Sequence, residues 1–261
     1  GFTVKRGGPV KYIPLQKGFL RGDPGESIKT GRPVMETLFR RLRNSVLLTA
    51  VAFVIIMPIA LVLGVLAGLN EGTLIDRALS IFGLITTGTP DFATGVILIL
   101  IFSSWLGLLP GATVFQSDNA IFSNLKMLVL PVLTLALVEV GYVLRITRAS
   151  VVEVMREHYV RVASLKGLPY KRIVFKHVLR NAMIAPITVI TLHVNWLIGG
   201  LVVVEAIYGF PGLGRTLYDA AVFKDVFMIE AGAMVMVMVA AGTQLVADVI
   251  YMFLNPRIRY K

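Results

Sequence analysis

Residues 45–69 read SVLLTAVAFVIIMPIALVLGVLAGL, a run without a single charged side chain. At about 1.5 Å per residue, a helix of this length exceeds the roughly 30 Å of hydrocarbon in a bilayer. The run therefore predicts a membrane-spanning helix. It also indicates that much of the chain is surrounded by lipid and not by water.

Further apolar runs of spanning length follow along the chain, at Ala78–Leu109, Met127–Leu144, Ala182–Tyr208 and Met228–Leu254. Hydrophobic residues make up 56% of the 261 residues and charged residues only 16%, and the mean hydropathy is +0.78. A soluble domain carries about 25% charged residues. Together with the absence of cysteine, this composition disfavours a soluble enzyme, a disordered tail and a disulfide scaffold. It predicts an all-α polytopic membrane helical bundle with five spans in this chain.

The second run contains a break at Thr86-Thr87-Gly88-Thr89-Pro90-Asp91. Proline has no N–H to donate and interrupts a helical ladder. Broken backbone at membrane depth is tolerated only inside protein or beside a water-filled path. The stretch therefore predicts a bend within the span, either as a packed kink or as part of a pathway wall.

Two basic blocks indicate the orientation of the chain. Residues 1–43 hold ten Lys/Arg, and residues 145–180 hold nine. Three predicted spans separate the blocks, so they face opposite sides, and the positive-inside rule weighs short loops between spans most heavily. We therefore place the 145–181 loop and the 255–261 tail in the cytoplasm. Residues 1–43 then form an extracytoplasmic segment, and residues 44–254 form the transmembrane domain. The basic block at 1–43 conflicts with the positive-inside rule, because it lies on the outer side in this assignment.

The 145–181 loop carries helical periodicity. Apolar residues recur at helical spacing over Val151–Lys166, Gly167 suits the position after a helix, and Pro169 suits the first turn of the next. A second stripe follows at Tyr170, Ile173, Val174, His177 and Val178. The pattern predicts helix, glycine turn, helix and re-entry at Asn181-Ala182.

This helix–turn–helix admits three interpretations. DNA binding is disfavoured because both ends of the loop are attached to membrane spans, so we expect no nucleic-acid partner. A helix lying on anionic lipid of the bilayer is the second. The third is a docking element that transmits the movement of a partner protein.

Four stretches resemble the permeases of ABC importers, most closely the dipeptide/oligopeptide/nickel branch. They are His158–Leu168 (HYVRVASLKGL) with Arg180-Asn181-Ala182, Gly22–Val34 (GDPGESIKTGRPV), Glu205–Gly214 (EAIYGFPGLG) and Asn255–Tyr260 (NPRIRY). The broader pattern has Glu-Ala-Ala where this chain has Arg161-Val162-Ala163, and His177 and Arg180 also depart from it. The resemblance implies the fold of a type I importer permease. The family has one more span near the start, so a sixth N-terminal span is expected to be missing from this chain.

The resemblance also implies partners in a bacterial inner membrane: a second homologous permease subunit, two ATPase subunits that bind ATP-Mg, and an extracytoplasmic substrate-binding protein. Peptides or similar small polar solutes are the implied cargo, with nickel or opine-like solutes as alternatives. The permease itself is expected to hold no cofactor and to have no catalytic residues. Its implied ATPase-coupling residues are Tyr159, Arg161, Ala163, Ser164, Leu165, Lys166, Gly167 and Leu168, and its implied binding-protein contacts are Gly209, Phe210, Pro211 and Gly212.

The stretch Gly209–Thr216 (GFPGLGRT) nearly matches a phosphate-binding loop, with arginine in place of the lysine. Such a loop needs a preceding strand and a helix whose N-terminus faces phosphate. Here a membrane span precedes it on the predicted outer side, so we expect a tight outer turn and no nucleotide.

Ionisable residues inside spans are functional candidates by default. Asp91, Glu139 and His193 lie in this position. A carboxylate could attract the ammonium group of a peptide, and all three could instead hydrogen-bond neighbouring helices. His193 has no partner at metal-ligand spacing, so no metal site is predicted. A rival hypothesis makes the three a relay in an ion channel or ion-coupled secondary transporter, although no inverted repeat supports it.

Overall fold

The computed structural model describes residues 18–114 and 124–254, except the side chains of 20, 192–200, 250, 251, 253 and 254. Within these ranges the chain is helical and contains no strand, only isolated bridges pairing Gly18 with Asp23 and Glu26 with Pro33. The predicted all-α class is confirmed. The predicted tail at 255–261 lies outside the described residues.

Ten α-helices follow one another in the described part of the chain. The long ones are α1 (Val34–Leu69), α2 (Leu74–Gly88), α4 (Lys126–Met155), α8 (Ile184–Tyr208) and α10 (Val226–Leu254). The short ones are α3 (Asp91–Leu98), α5 (His158–Leu165), α6 (Tyr170–Arg172), α7 (Leu179–Ala182) and α9 (Leu213–Val222). π-Helical turns at Ile99–Trp105 and Ile173–Val178 extend α3 and join α6 to α7.

The predicted spans are present, but two of them are longer than their hydropathy indicates. Among the described residues, four helices are long and apolar enough to cross a membrane, and the bent pair α2–α3 makes a fifth. Helix α1 begins at Val34 and not at Ser45, and α4 continues past Leu144 to Met155. Packing accompanies both extensions, because Val34 and Leu38 of α1 are buried against α9 and α10, and Val151 of α4 is buried in the cluster with Ile173.

Small residues let α1 and α4 approach closely. A Cβ added to Gly64 would lie 2.5 Å from the Cβ of Thr147, and one added to Gly68 would lie 2.6 Å from the Cβ of Val151. Real Cβ atoms do not come this close, so glycine is required at both positions for this approach. Because Thr147 and Val151 both lie past Leu144, where the apolar run of α4 ends, these contacts hold the part of α4 beyond that run against α1.

The predicted bend is confirmed at Pro90, where α2 and the α3 segment meet at 107°. Threonine hydroxyls before the break bond carbonyls of the preceding turn, and that of Thr89 reaches Ile85 O at 2.7 Å. Successive parts of the pair contact successive levels of α4: Asp76 meets Arg148, Gly83 meets Gly141 and Gly95 meets Thr134. The pair therefore crosses the bundle as one broken span and does not return to the side where it began.

The bundle has two distinct ends. At one end the segment 18–33 lies against α9 and the start of α10, with Ser27 bonded to Asp225. At the other end the turn between α1 and α2 meets α4, where Glu71 pairs with Arg156 at 2.6 Å. The segment 18–33 and the 145–181 loop therefore lie at opposite ends, while the assignment of cytoplasm to the loop end stays a prediction.

Candidate functional site

The 145–181 loop does not contain the single helix predicted over Val151–Lys166. Helix α4 ends at Met155, the chain turns at Arg156, and α5 begins at His158. Both halves of the apolar stripe join one buried cluster with Ile173 and Val178, and Val151 also packs on Gly68 of α1. Periodicity continued across the break, so the sequence pattern alone could not show it.

Gly167 ends α5 as predicted. Its φ is +74°, in the left-handed region, and its N–H donates to Ser164 O at 2.9 Å. A Cβ added at this position would meet nothing within 4 Å. The requirement for glycine is therefore one of backbone conformation and not of space.

Helix α5 buries one face and exposes the other. Val160 and Ala163 pack against Ile173 and Val178 of the following stretch. Leu165, at the tip before Gly167, is 80% exposed. The predicted coupling residues thus divide into an inward set, Ala163 and the partly buried Leu168, and an outward set, Tyr159, Arg161, Ser164, Leu165, Lys166 and Gly167.

The second helical stretch, residues 170–182, differs from its predicted stripe. Ile173, Val174 and Val178 are buried, but Tyr170 is exposed and His177 only partly buried. The π-helical turn Ile173–Val178 accounts for this, because its i→i+5 hydrogen bonds widen the turn and shift the register.

Polar contacts fix the loop to the rest of the bundle. The Ser150 hydroxyl donates to Ala182 O at 2.8 Å, and Asn181 Nδ2 donates to the Tyr159 hydroxyl at 2.8 Å. Arg148 Nη2 donates to Asp76 Oδ2 at 2.8 Å and Nε contacts Oδ1, which joins α4 to the first turn of α2. A displacement of α5 would therefore reach the residues before α8 through Asn181, and α2 only by way of α4.

Two of the three predicted pathway residues lie at a similar depth. Asp91 begins α3 directly after the bend and is partly buried. The bend lies beside α4 between Thr134 and Gly141, and Glu139, which is 2% exposed, falls in that interval. His193 belongs to α8, but its side chain lies outside the described ones. No metal-ligating group of three His, Cys, Asp or Glu occurs among the described residues.

The opposite end contains a buried carboxylate that the sequence analysis did not identify. Glu205 is fully buried at the end of α8, and its oxygens accept hydrogen bonds from the Ser45 hydroxyl and, at 3.1 Å, from Arg215 N–H. Ser45 in turn accepts from Leu213 N–H at 2.8 Å. The carboxylate therefore caps the N-terminus of α9, where the helix dipole favours negative charge.

Glycine is needed around this carboxylate. A Cβ added to Gly212 would lie 2.0 Å from Glu205 Oε1, and one added to Gly214 would lie 2.6 Å from Val202 Cα. The glycines of the near-match to a phosphate-binding loop thus make room for a carboxylate of the chain itself. Because that carboxylate already occupies the α9 N-terminus, a phosphate there would meet like charge.

The predicted binding-protein contacts are only partly accessible. The Phe210 side chain is fully buried in the main core, and its N–H donates to Glu205 O at 2.9 Å, so its contact with a binding protein stays a prediction. Gly212 is buried as well, whereas Gly209 and Pro211 are partly exposed. Exposed apolar residues at this end include Tyr218 and Val222 of α9 and Phe223 at its C-terminus.

Known proteins resemble this chain over most of its length. Residues 60–260 match the family described as the binding-protein-dependent transport system inner membrane component. The chain belongs to this family. It is the transmembrane permease subunit of a binding-protein-dependent ABC importer, and it works with other components of that transporter.

Relatives of this permease match over most of its length. It is 34% identical to the oligopeptide transport system permease protein AppB of Bacillus subtilis, over 96% of this chain and 80% of that protein. It is 30% identical to the dipeptide transport system permease protein DppB of Escherichia coli, over 96% of this chain and 81% of that protein. These matches support the family assignment independently of the match at 60–260.

A solved structure supports the fold of this permease. The crystal structure of an amino acid ABC transporter with histidines superposes with a TM-score of 0.64, covering 83% of this chain and 93% of the other. The two are 16% identical, so this likeness supports the helical architecture alone. The predicted type I permease fold is confirmed.

Proposed function

We propose that this permease forms one half of the pathway of a peptide importer in a bacterial inner membrane. Its partners are a second homologous permease, two ATPase subunits that bind ATP-Mg, and an extracytoplasmic substrate-binding protein. The permease itself performs no catalysis. Relatives named as oligopeptide and dipeptide permeases support the choice of peptides as cargo.

The observation that carries the proposal is the exposed tip of α5. Leu165 is 80% exposed, although neighbouring Ala163 is buried. An apolar side chain held at a tight glycine turn, on a helix packed against two others, is suited to a pocket on a partner subunit. The outward residues of α5 then contact an ATPase, and Ala163 passes its displacement to the stretch 170–182.

The broken span supplies the pathway in this proposal. A break at Pro90 places unpaired backbone and the Asp91 carboxylate at membrane depth, which is tolerated beside a polar cavity. Glu139 lies at a similar depth on α4. The two carboxylates attract the ammonium group of an incoming peptide, and His193 is a further candidate whose contribution rests on its position in α8.

The outer end receives the binding protein. Glu205 holds α9 in place from within, so that Gly209, Pro211 and the exposed residues of α9 present a fixed surface. A fixed surface favours docking, because less conformational freedom is lost on binding.

One pair of variants tests the coupling role. Leu165→Gln and Leu74→Gln remove apolar side chains that are 80% and 81% exposed at the same end of the bundle. The full transporter would be reconstituted with its binding protein, and ATP-driven uptake of a labelled dipeptide and stimulated ATP hydrolysis would be measured. We expect Leu165→Gln to lower both by about tenfold or more, and Leu74→Gln to leave both near wild type.

Two results would contradict the proposal. Equal activity of the two variants would remove α5 from the ATPase contact. Uptake driven by an ion gradient without ATP would instead favour a secondary transporter.

A further inference from the structure

The stretch 170–182 carries a cationic face with no acidic neighbours in sequence. Lys171, Arg172, Lys176 and Arg180 are all exposed. No Asp or Glu occurs from residue 158 to residue 204. The positive charge of this face is therefore not balanced within the loop itself.

This face points away from the α5 helix. The buried side chains of the same stretch, Ile173 and Val178, pack on Val160 and Ala163 of α5 and on Val151 of α4. The exposed cations lie on the remaining circumference of the stretch. The proposed ATPase contact uses the tip of α5, so the cationic face is a second surface.

The depth of the stretch is fixed by its bond to α4. Arg145 and Arg148 are the first charges after the apolar run of α4, apart from the buried Glu139, and they mark where hydrocarbon ends. Ser150, two residues further, donates to Ala182 O at 2.8 Å. Residue 182 therefore lies at the membrane surface, immediately before α8 enters the bilayer, and Ile173 and Val178 remain close to that level because they pack on Val151 of α4.

An aromatic side chain accompanies the cations. Phe175 is 71% exposed although it follows the buried pair Ile173 and Val174. Nothing in the fold of the described chain requires a phenylalanine there. At a membrane surface an exposed aromatic ring beside cations is expected, because the ring enters the acyl boundary while the cations reach the headgroups.

We propose that Lys171, Arg172, Lys176 and Arg180, together with Phe175, bind the headgroups of anionic phospholipids such as phosphatidylglycerol. The guanidinium and ammonium groups donate to phosphate oxygens, and the Phe175 ring inserts between the acyl chains. Each cation close to such a surface raises the affinity for it about fivefold. Because the ligand is a lipid, the proposal stands whichever solute the permease carries.

Lipid retention by the assembled transporter tests the charge requirement. Arg172→Gln/Lys176→Gln and Arg161→Gln/Lys166→Gln remove two exposed cations each from the same loop. The complexes would be purified from nanodiscs of phosphatidylethanolamine and phosphatidylglycerol (7:3), and bound lipid would be counted by native mass spectrometry. We expect the first pair to lower phosphatidylglycerol retention about twentyfold and the second to change it less than twofold. Equal losses, or no loss in either, would overturn the proposal.

Quenching by brominated lipid tests the position of the aromatic ring without altering charge. Phe175→Trp would be compared with the wild type, which has two tryptophans of its own. In the assembled transporter, we expect the added fluorescence to be quenched more by brominated phosphatidylglycerol than by the same fraction of brominated phosphatidylcholine. Quenching that appears only after removal of the ATPases would assign this face to the ATPase interface and overturn the proposal. Equal quenching by both lipids would overturn the headgroup selectivity on which it rests.

Discussion

The two ends of this permease are built in opposite ways. At the end that is predicted to face outward (the outer end), a buried Glu205 joins α1, α8 and α9 through hydrogen bonds to Ser45 and to the first turn of α9. At the other end, α5 is held by two small apolar contacts and by the bond of Tyr159 to Asn181, and it leaves Leu165 exposed. The outer end is fixed by hydrogen bonds within the chain, whereas α5 is held by few contacts and has an exposed apolar tip.

This difference predicts that the two ends respond differently to substitution. A buried carboxylate is stabilising only while its hydrogen bonds are intact, so changes there should alter the stability of the fold. Exposed residues of α5 contribute little to folding, so changes there should alter transport while leaving the free energy of unfolding nearly unchanged. The following experiments measure the stability of the fold, transport, or both.

The largest effect on stability is expected at Glu205. Glu205→Ala leaves the Ser45 hydroxyl and the α9 N–H groups buried without their acceptor, which should lower the free energy of unfolding by about 3 kcal/mol. Thermal unfolding of the purified transporter measures this. Glu205→Gln, which keeps one acceptor oxygen, should lose less. An alanine variant as stable as the wild type would refute the interlocked outer end.

The next effect is expected at Gly167, and here transport should fall more than stability. A β-branched side chain at φ +74° is strained by about 1–2 kcal/mol, which α5 can relieve by moving its tip. Gly167→Val should therefore abolish uptake and stimulated ATP hydrolysis while binding-protein affinity for its solute is unchanged. Gly167→Asn, which tolerates this conformation, is the matched control. Full transport by the valine variant would exclude the turn from coupling.

Local signals in the sequence predicted the spans, the bend at Pro90 and the turn at Gly167. Each depends on residues within a few positions of one another, since proline and glycine act on their own backbone. Helix ends were harder to predict from the sequence, because α1 extends to Val34 through packing on α9 and α10. The break at Arg156 was hidden because the apolar period continues through it.

The candidate sites show the same division between local and distant signals. Glu205 was missed because its partner Ser45 lies 160 positions away. The run of glycines after it was visible and predicted a tight turn, but the sequence did not show that Gly212 makes room for the Glu205 carboxylate. One cation of the basic N-terminal block has a partner within the bundle, because Arg41 Nη1 donates to Pro211 O at 3.2 Å. The positive-inside rule counts such cations without regard to their partners.

A smaller effect at the outer end is expected from acid. Burial alone would raise the pKa of the Asp225 carboxyl, but the Ser27 hydroxyl and nearby backbone N–H groups donate to it and hold its pKa below the usual value. The Asp225 anion therefore stabilises the fold at pH values above about 4, which is the pKa of an aspartate in the unfolded chain. This stabilisation is lost as the pH falls through the lower pKa of the folded state. We expect the unfolding temperature to drop over this acidic range in the wild type. Asp225→Asn should lack that part of the drop, and an identical pH profile for both would contradict the role of the carboxylate.

The smallest effect is expected at Tyr208, which connects the rigid outer end to the broken span. Its buried hydroxyl donates to Gly95 O of α3 at 3.1 Å and lies 2.8 Å from the Thr134 hydroxyl of α4. Tyr208→Phe keeps the ring and removes this link, which should lower the free energy of unfolding by about 1 kcal/mol. Tyr218→Phe, exposed on α9 at the same end, should leave the free energy of unfolding unchanged. The Tyr208 variant could instead unfold like the wild type but transport more slowly. That result would show that the outer end takes part in moving the broken span, and it would contradict the contrast between a fixed outer end and a mobile α5 end.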